Sequence, residues 1–194
     1  DYSGPPTAGG GLQASYSAVG MVRTFAFDCQ RDAYHQIGQD LRGSNEGEQF
    51  GHRISTSSDG KTMAISAPSE SYDGGAGFVN VYFLDESQSQ PRWSKLGSRI
   101  DNLDSSVAYS RIGHAISLSS RGETLAILGL TDANSYIVRV YAYDSHSDAW
   151  KLKGKQLTAT VTYGDADSSY EFAPQISLSD AGDELSISDP EFGI

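Results

Sequence analysis

Two histidines occupy the same place in a repeated sequence pattern. His52 and His114 each follow a glycine, and Pro174 takes the corresponding place in a third copy of the pattern. Two imidazoles could bind a metal ion or act as a catalytic pair. Because equivalent positions in a repeat have the same structural role, we expect both histidines to be polar residues at strand starts. His35 and His146 have no cysteine or carboxylate at ligand spacing, so we assign neither a role.

Acidic loops are the next candidates for chemistry, because carboxylate oxygens bind Ca²⁺. The stretch "YGDADSSYE" at 163–171 contains Asp165 and Asp167. Loops rich in Asp and Ser also serve as plain connections. We therefore take Asp165 and Asp167 as the weak candidates for calcium, and we expect no other metal or cofactor.

A hydrolytic site is the third chemistry to weigh, because Ser, His and Asp are all present. The chain has no G-x-S-x-G elbow, and its serines fall in predicted hairpins, where they are typical turn and strand residues. Catalysis also needs unlike groups brought together once, whereas a repeat places similar groups at many equivalent positions. We predict that no residue is catalytic and that the protein is not an enzyme.

Composition narrows the classes of partner. The chain of 194 residues has a formal net charge of -11, and 38% of its residues are hydrophobic, which suits a globular protein with a buried core. A negative field repels nucleic acid, so we expect no nucleic-acid binding. No stretch approaches the roughly 20 apolar residues of a membrane-spanning helix. Cys29 is the only cysteine, which rules out a disulfide within these residues.

The elements that would position these side chains are β-strands in a repeat of about 60 residues. The first marker of the repeat is a hairpin such as "ISTSSDGKTMAIS", which starts at Ile54, Ile116 and Ile176. The second is an alternating aromatic strand, "VRTFAFD", "VNVYFLD" and "VRVYAYD". The third is an aromatic residue followed four positions later by glycine, at Tyr34, Trp93 and Trp150. Period-two alternation without a helical period predicts four antiparallel strands in each unit.

The hairpin turn has one constant residue, the glycine at Gly60, Gly122 and Gly182. A type I′ turn would also need positive φ at the preceding residue, which suits Arg121 and Ala181 poorly. A type I turn followed by a left-handed glycine in a G1 bulge suits all three copies. We expect the apolar residues after each turn, and the aromatic residues of the third marker, to pack between units rather than to stack on sugars.

Four antiparallel strands are the content of one β-propeller blade, so the predicted fold is an all-β propeller with an incomplete ring. Residues 1–49 would form the outer half of a first blade, with a start rich in Gly and Pro. Residues 50–100 and 112–158 would form full blades, and 176–194 the inner half of another. Since about four to eight blades close a ring, we expect a longer protein of roughly six to eight blades.

The sequence resembles the FG-GAP repeat of integrin α-chain type β-propellers. The resemblance lies in "FGHRISTSSDGKTMAISAPSESYDGGAGFVNVYFLD", with Phe50-Gly51 at its start and Ala67-Pro68 where the family has Gly-Ala-Pro. It implies interaction with protein or matrix. It also implies a D-x-[DN]-x-D-G calcium loop in the hairpin, but "SSDGK" here retains only one Asp-Gly.

The leading hypothesis is a non-enzymatic scaffold that presents loops to a protein partner, as an adhesion module or as an accessory subunit of a larger assembly. The expected location is extracellular, cell-surface or lumenal. The segments that differ most between copies are the expected contact loops, with Tyr109, Arg111, Tyr136 and Tyr163 as contact residues. A glycan-binding propeller and a propeller that supports a hydrolytic site remain the alternatives.

Overall fold

The computed structural model describes residues 19–68, 77–87, 89–101, 112–130, 135–160 and 174–188. These ranges contain fourteen β-strands and no helix. The strands form four separate sheets, and every pair of strands is antiparallel. The all-β class predicted from period-two alternation is therefore confirmed.

The four sheets follow one another along the chain. The first sheet contains β1 (Met21–Asp28) and β2 (Ala33–Arg42). The second sheet contains β3 (Ile54–Thr56), β4 (Thr62–Ala67), β5 (Phe78–Asp85), β6 (Arg92–Lys95) and β7 (Ile100–Asp101). The third sheet contains β8 (Ala115–Leu118), β9 (Thr124–Leu130), β10 (Ser135–Asp144), β11 (Ala149–Leu152) and β12 (Leu157–Thr160). The fourth sheet contains β13 (Ile176–Leu178) and β14 (Leu185–Ile187).

The second and third sheets have the same topology. Their strand orders are β3-β4-β5-β6 and β8-β9-β10-β11, and a fifth short strand pairs with β5 or β10 in each. The sequence pattern predicted four strands, so the fifth is a difference. It arises because Gly97 and Gly154, with φ of 73° and 78°, interrupt the chain after β6 and after β11. The chain then returns to pair with β5 as β7, and with β10 as β12. The first sheet, β1–β2, corresponds to the β5–β6 pair of this arrangement. The fourth sheet, β13–β14, corresponds to the β3–β4 hairpin.

The central strands bury both of their faces, because each lies in a sheet covered on both sides. In β4, Met63 and Ile65 face the first sheet, whereas Ala64 faces the third. In β9, Leu125 and Ile127 face the second sheet, and Ala126 faces the fourth. Large side chains on one face thus meet small ones on the neighbouring sheet, which allows close packing without strain. The prediction that the large residues after the turn pack between units is confirmed for the second and third sheets, whereas Ile187 of the fourth sheet is 41% exposed.

Three hydrophobic clusters hold the sheets together in chain order. One contains Val22 and Leu41 of the first sheet against Met63 and Tyr82 of the second. The next joins residues such as Val81 of the second sheet to the third sheet. The last lies between the third and fourth sheets. Each sheet is therefore a layer whose contacts are made with the sheets before and after it.

Candidate functional site

The three hairpin turns have the geometry that their constant glycine requires. The N–H groups of Gly60, Gly122 and Gly182 donate to the carbonyl oxygens three residues earlier at 3.0, 2.9 and 2.9 Å. Their φ angles are 69°, 74° and 73°, whereas Arg121 and Ala181 have no positive φ. A type I turn followed by a left-handed glycine fits these values, and a type I′ turn does not.

The same glycines mark where two sheets approach most closely. A Cβ atom added to Gly122 would lie 2.6 Å from Thr62 Cβ, and one added to Gly182 would lie 2.5 Å from Thr124 Cβ. A Cβ atom on Gly60 would meet nothing within 4 Å. Two of the three glycines therefore have a second role, which the sequence analysis missed because the contacting threonines lie about 60 residues away in the chain.

Asp59 organises its own turn. Ser57 Oγ donates to its carboxylate at 2.6 Å, and the Lys61 N–H donates to it at 2.9 Å. These two hydrogen bonds, the one from Ser57 first, lower the pKa of Asp59. Its Oδ1 atom is thus engaged in turn formation.

The two tryptophans of the repeat pack on glycines of the preceding sheet. An added Cβ at Gly38 would lie 2.5 Å from Trp93 Cδ1, and one at Gly97 would lie 3.0 Å from Trp150 Cδ1. The Trp150 indole N–H also donates to the Leu96 carbonyl at 2.9 Å. Both indoles are buried, so their predicted role in packing between units is confirmed. Tyr34, at the equivalent position, is 71% exposed and does not share that role in this structure.

The two repeat-equivalent histidines lie side by side. The ring centroids of His52 and His114 are 5.8 Å apart, with the planes tilted by 37°. The backbone N–H of His52 donates to Ser66 O at 3.2 Å, and that of His114 donates to Leu128 O at 3.0 Å. Both residues therefore connect the entry of a sheet to its second strand through their backbone N–H groups.

The segments that vary most between repeats all attach at one end of the sheets, which we call the loop end. In the second sheet, Ala67 pairs with Phe78, Phe78 pairs with Asp101, and Gly77 pairs with Ile112. These residues flank segments 69–76 and 102–111. In the third sheet, the equivalent backbone pairs flank segments 131–134 and 161–173. The short hairpin turns lie at the opposite end, which we call the turn end.

Most of the predicted contact residues belong to these segments. Tyr109, Arg111 and Tyr163 lie outside the described residues, as do the calcium candidates Asp165 and Asp167.

The structure does not agree with the expectation that Tyr136 is a contact residue. It lies within β10 rather than in a loop, and its side chain is only 4% exposed. Its backbone pairs with Leu130, and its ring belongs to the cluster between the third and fourth sheets. Tyr136 is therefore a packing residue in this structure.

An open cavity of about 530 Å³ lies between the first and second sheets at their outer strands. Its lining includes His35 and Gln39 of β2 and Arg92 of β6. Gln39 also joins the two sheets, because its side chain exchanges hydrogen bonds of 2.7 and 3.0 Å with the Trp93 backbone. No local sequence pattern indicates this groove, because its two walls are more than 50 residues apart in the chain.

Two partly exposed aspartates, Asp40 and Asp144, form ion pairs with basic side chains. Asp40 accepts hydrogen bonds from Arg23 at 2.9 Å and Gln36 at 3.0 Å, and Arg42 also pairs with it. The hydrogen bond from Arg23 is the main cause that lowers the pKa of Asp40 to about 2.

Asp144 stands at the turn between β10 and β11. It accepts hydrogen bonds from Lys151 and from Ser147 Oγ, together with the His146 backbone N–H at 3.0 Å. These contacts, the one from Lys151 first, lower the pKa of Asp144 to about 2.

The lowered pKa values predict how stability responds to acid. Both carboxylates have a folded-state pKa below their ordinary value of 3.8. Their contribution to the free energy of unfolding is therefore complete above about pH 4. It is lost as the pH falls from about 4 towards 2. NMR titration should show Asp40 and Asp144 half-protonated near pH 2, and Asp40→Asn should flatten the pH dependence of the unfolding free energy in this window. Titration of Asp40 near 3.8 would contradict the Arg23 contact.

No group of three or more His, Cys, Asp or Glu side chains within the described ranges is arranged to hold a metal ion. The same ranges contain no helix long and apolar enough to cross a membrane. Comparison with models of protein families gives no match, and no curated protein matches the chain significantly.

Proposed function

We propose that this chain is part of a β-propeller scaffold that is not an enzyme and that binds a protein partner through its loop end. Each repeat of about 60 residues would supply one blade, in which the short strand β7 or β12 extends the outer strand. The identical strand order of the second and third sheets supports this proposal, as do the repeated contacts of Trp93 and Trp150.

The observation that carries the proposal is the separation of constant and variable sequence between the two ends of the sheets. Two of the hairpin turns at the turn end repeat in both conformation and contact, as Gly122 and Gly182 show. The segments attached to the loop end differ in length and in sequence from one repeat to the next. A rigid scaffold whose variable segments emerge on one side is the usual arrangement for a binding surface.

The charge of these segments indicates the kind of partner. Segments 69–76, 102–111, 131–134 and 161–173 together contain seven acidic residues and one basic residue, Arg111. Clustered charge of one sign steers association with a surface of the opposite sign. The partner is therefore a protein with a basic surface, and the scaffold would act as an adhesion module or accessory subunit in an extracellular, cell-surface or lumenal setting.

The proposal is tested with two variants that each remove three negative charges, one variant at the loop end and the other at the turn end. The loop-end variant carries Asp132→Asn, Asp165→Asn and Asp167→Asn, and a turn-end control carries Glu86→Gln, Glu123→Gln and Asp148→Asn. A lysine-rich synthetic peptide serves as the probe, and its affinity is measured by titration calorimetry.

We expect the loop-end variant to weaken peptide binding by roughly 10-fold or more, whereas the control keeps most of the affinity. Equal losses in both variants would mean that net charge alone attracts the peptide, and would overturn the proposal. Binding to neutral glycans that depends on Tyr163 would instead favour the carbohydrate hypothesis.

A further inference from the structure

The groove between the first and second sheets lies away from the loop end. Its wall on the second sheet includes Arg92, the first residue of β6. Arg92 pairs with Asp85, the last residue of β5. Phe83, two residues earlier in β5, pairs with Thr62, which directly follows a hairpin turn. The groove therefore opens at the turn end of the outer strands, on a different part of the surface from the proposed partner site.

Three polar side chains of the groove have donors that are not engaged within the described part of the chain. They are the guanidinium of Arg92 and the amide of Gln90 on one wall, and the imidazole of His35 on the other. By contrast, the guanidinium of Arg99 in the same sheet pairs with Asp101 at 2.9 Å. The groove thus presents a guanidinium that is available to a ligand, opposite an imidazole.

Carboxylates do not oppose these basic groups in the lining that the described residues form. Asp85, the strand partner of Arg92, accepts the Ser87 N–H at 2.9 Å. Asp40, on the same strand as His35, pairs with Arg23 at 2.9 Å. In a chain with a net charge of -11, the groove is therefore a local region with basic groups on both walls. Such a region attracts an anionic ligand.

The two walls are held together by Gln39 and Trp93. The Gln39 side-chain N–H donates to the Trp93 carbonyl at 2.7 Å, and the Trp93 backbone N–H donates to the Gln39 side-chain oxygen at 3.0 Å. The Trp93 indole lies behind Gly38 of the lining, where an added Cβ would be 3.0 Å from Nε1. Walls that are already fixed lower the ordering cost of binding a ligand.

The lining fits a ligand that carries both carboxylate and hydroxyl groups. A guanidinium binds a carboxylate through two parallel hydrogen bonds. Side-chain amides, which both donate and accept, suit hydroxyl groups, and only Ile37 and Pro91 of the lining have apolar side chains. The volume of about 530 Å³ lies within the range of roughly 300–1,000 Å³ that is usual for small-molecule sites. The groove therefore has room for a sugar ring as well as its acidic group.

An acidic peptide fits this groove less well than an acidic sugar. Extended peptides bind by adding a strand to the edge of a sheet, where the backbone groups of the edge strand form hydrogen bonds with them. The backbone N–H and carbonyl of Trp93 that face the groove are already engaged by Gln39. The side chains of the groove are thus available to a ligand, but this part of the strand edge is not.

We propose that this groove binds an acidic sugar, namely a uronate residue of an oligosaccharide. The carboxylate pairs with Arg92, and the ring hydroxyls form hydrogen bonds with Gln90 and His35. The inference is independent of the propeller organisation and of the partner proposed for the loop end.

Titration calorimetry with trigalacturonate tests the ligand class on the 194-residue chain. Its methyl ester is the comparison, because the ester keeps the sugar rings and hydroxyls but has no negative charge. We expect the acid to bind at least roughly 10-fold more tightly than the ester, the usual advantage of a charge-assisted hydrogen bond. Equal affinities, or no binding of the acid at ~10 mM, where even a weak site is occupied, would overturn the inference. Equally tight binding of hexaglutamate would also overturn it, in favour of a peptide.

Two variants of β6 test the place of binding. Arg92→Gln should weaken trigalacturonate binding roughly 10-fold or more. Lys95→Gln is the matched control, because Lys95 is an exposed basic residue of the same strand that lies outside the lining. It should keep most of the affinity. Equal losses in both variants would mean that net charge alone attracts the sugar, and would contradict a site in the groove.

The fluorescence of Trp93 is a second measure of where the sugar binds. In a Trp150→Phe background, Trp93 is the only tryptophan of the chain. Because its indole lies directly behind Gly38, a sugar in the groove should shift its emission in proportion to occupancy. Binding detected by calorimetry without any change in this emission would place the sugar elsewhere and overturn the inference.

Discussion

Trp150→Ala is expected to lower the free energy of unfolding by about 3–5 kcal/mol, the usual cost of removing a large buried aromatic side chain. The indole of Trp150 lies between the second and third sheets. It packs against Gly97, and its ring centroid is 5.4 Å from that of Tyr143. Truncation would leave a cavity at the junction and would also remove the donor to the Leu96 carbonyl.

Urea unfolding at low protein concentration measures this effect. Trp150→Phe is the matched variant, because it keeps most of the ring but removes the indole N–H. We expect it to cost about 1–2 kcal/mol, the value of a lost hydrogen bond with some lost packing. A loss below about 1 kcal/mol for Trp150→Ala would show that the indole does not hold the two sheets together.

The second large effect is a difference between equivalent turn glycines. Gly122→Asn and Gly60→Asn place the same side chain at the same left-handed backbone position, which asparagine tolerates better than other residues. Only at Gly122 does the new Cβ meet a neighbouring sheet, at 2.6 Å from Thr62 Cβ. We therefore expect Gly122→Asn to lower the free energy of unfolding by about 2–3 kcal/mol, and Gly60→Asn to lower it by less than about 1 kcal/mol.

Gly182→Asn extends the comparison, because an added Cβ there would lie 2.5 Å from Thr124 Cβ. Gly182→Asn should lower the free energy of unfolding as much as Gly122→Asn does, because it disturbs the contact between the third and fourth sheets in the same way. All three variants are compared by chemical unfolding. Similar costs at Gly60 and Gly122 would mean that the turn conformation, and not the approach of the sheets, sets the requirement for glycine.

Features that depend on neighbours in the chain were predictable from the sequence. Alternation in "VNVYFLD" predicted a strand, and the constant Gly60, Gly122 and Gly182 predicted the turn type, because both depend on a few adjacent residues. Repetition extended the prediction to Trp93 and Trp150. Equivalent placement in each unit indicated a common packing role before any contact was known.

Features that depend on contacts between repeats were not predictable in this way. The segment "TDANSY" has the composition of a loop, but its last residue, Tyr136, pairs with Leu130 and is buried by the fourth sheet. The short strand β7 is set by a return to β5 after Gly97. Neither has a local signal, since each depends on a partner elsewhere in the chain.

The layered arrangement of the sheets also bears on how the chain folds. The junction hydrogen bonds join residues about one repeat apart, 54 residues for Gln39 and Trp93 and 63 for Ser55 and Leu118. Each new sheet can therefore dock on the one made before it, without waiting for distant sequence. Repeats with contacts of this kind fold by nucleation and propagation, so the chain can acquire structure in the order in which the ribosome makes it.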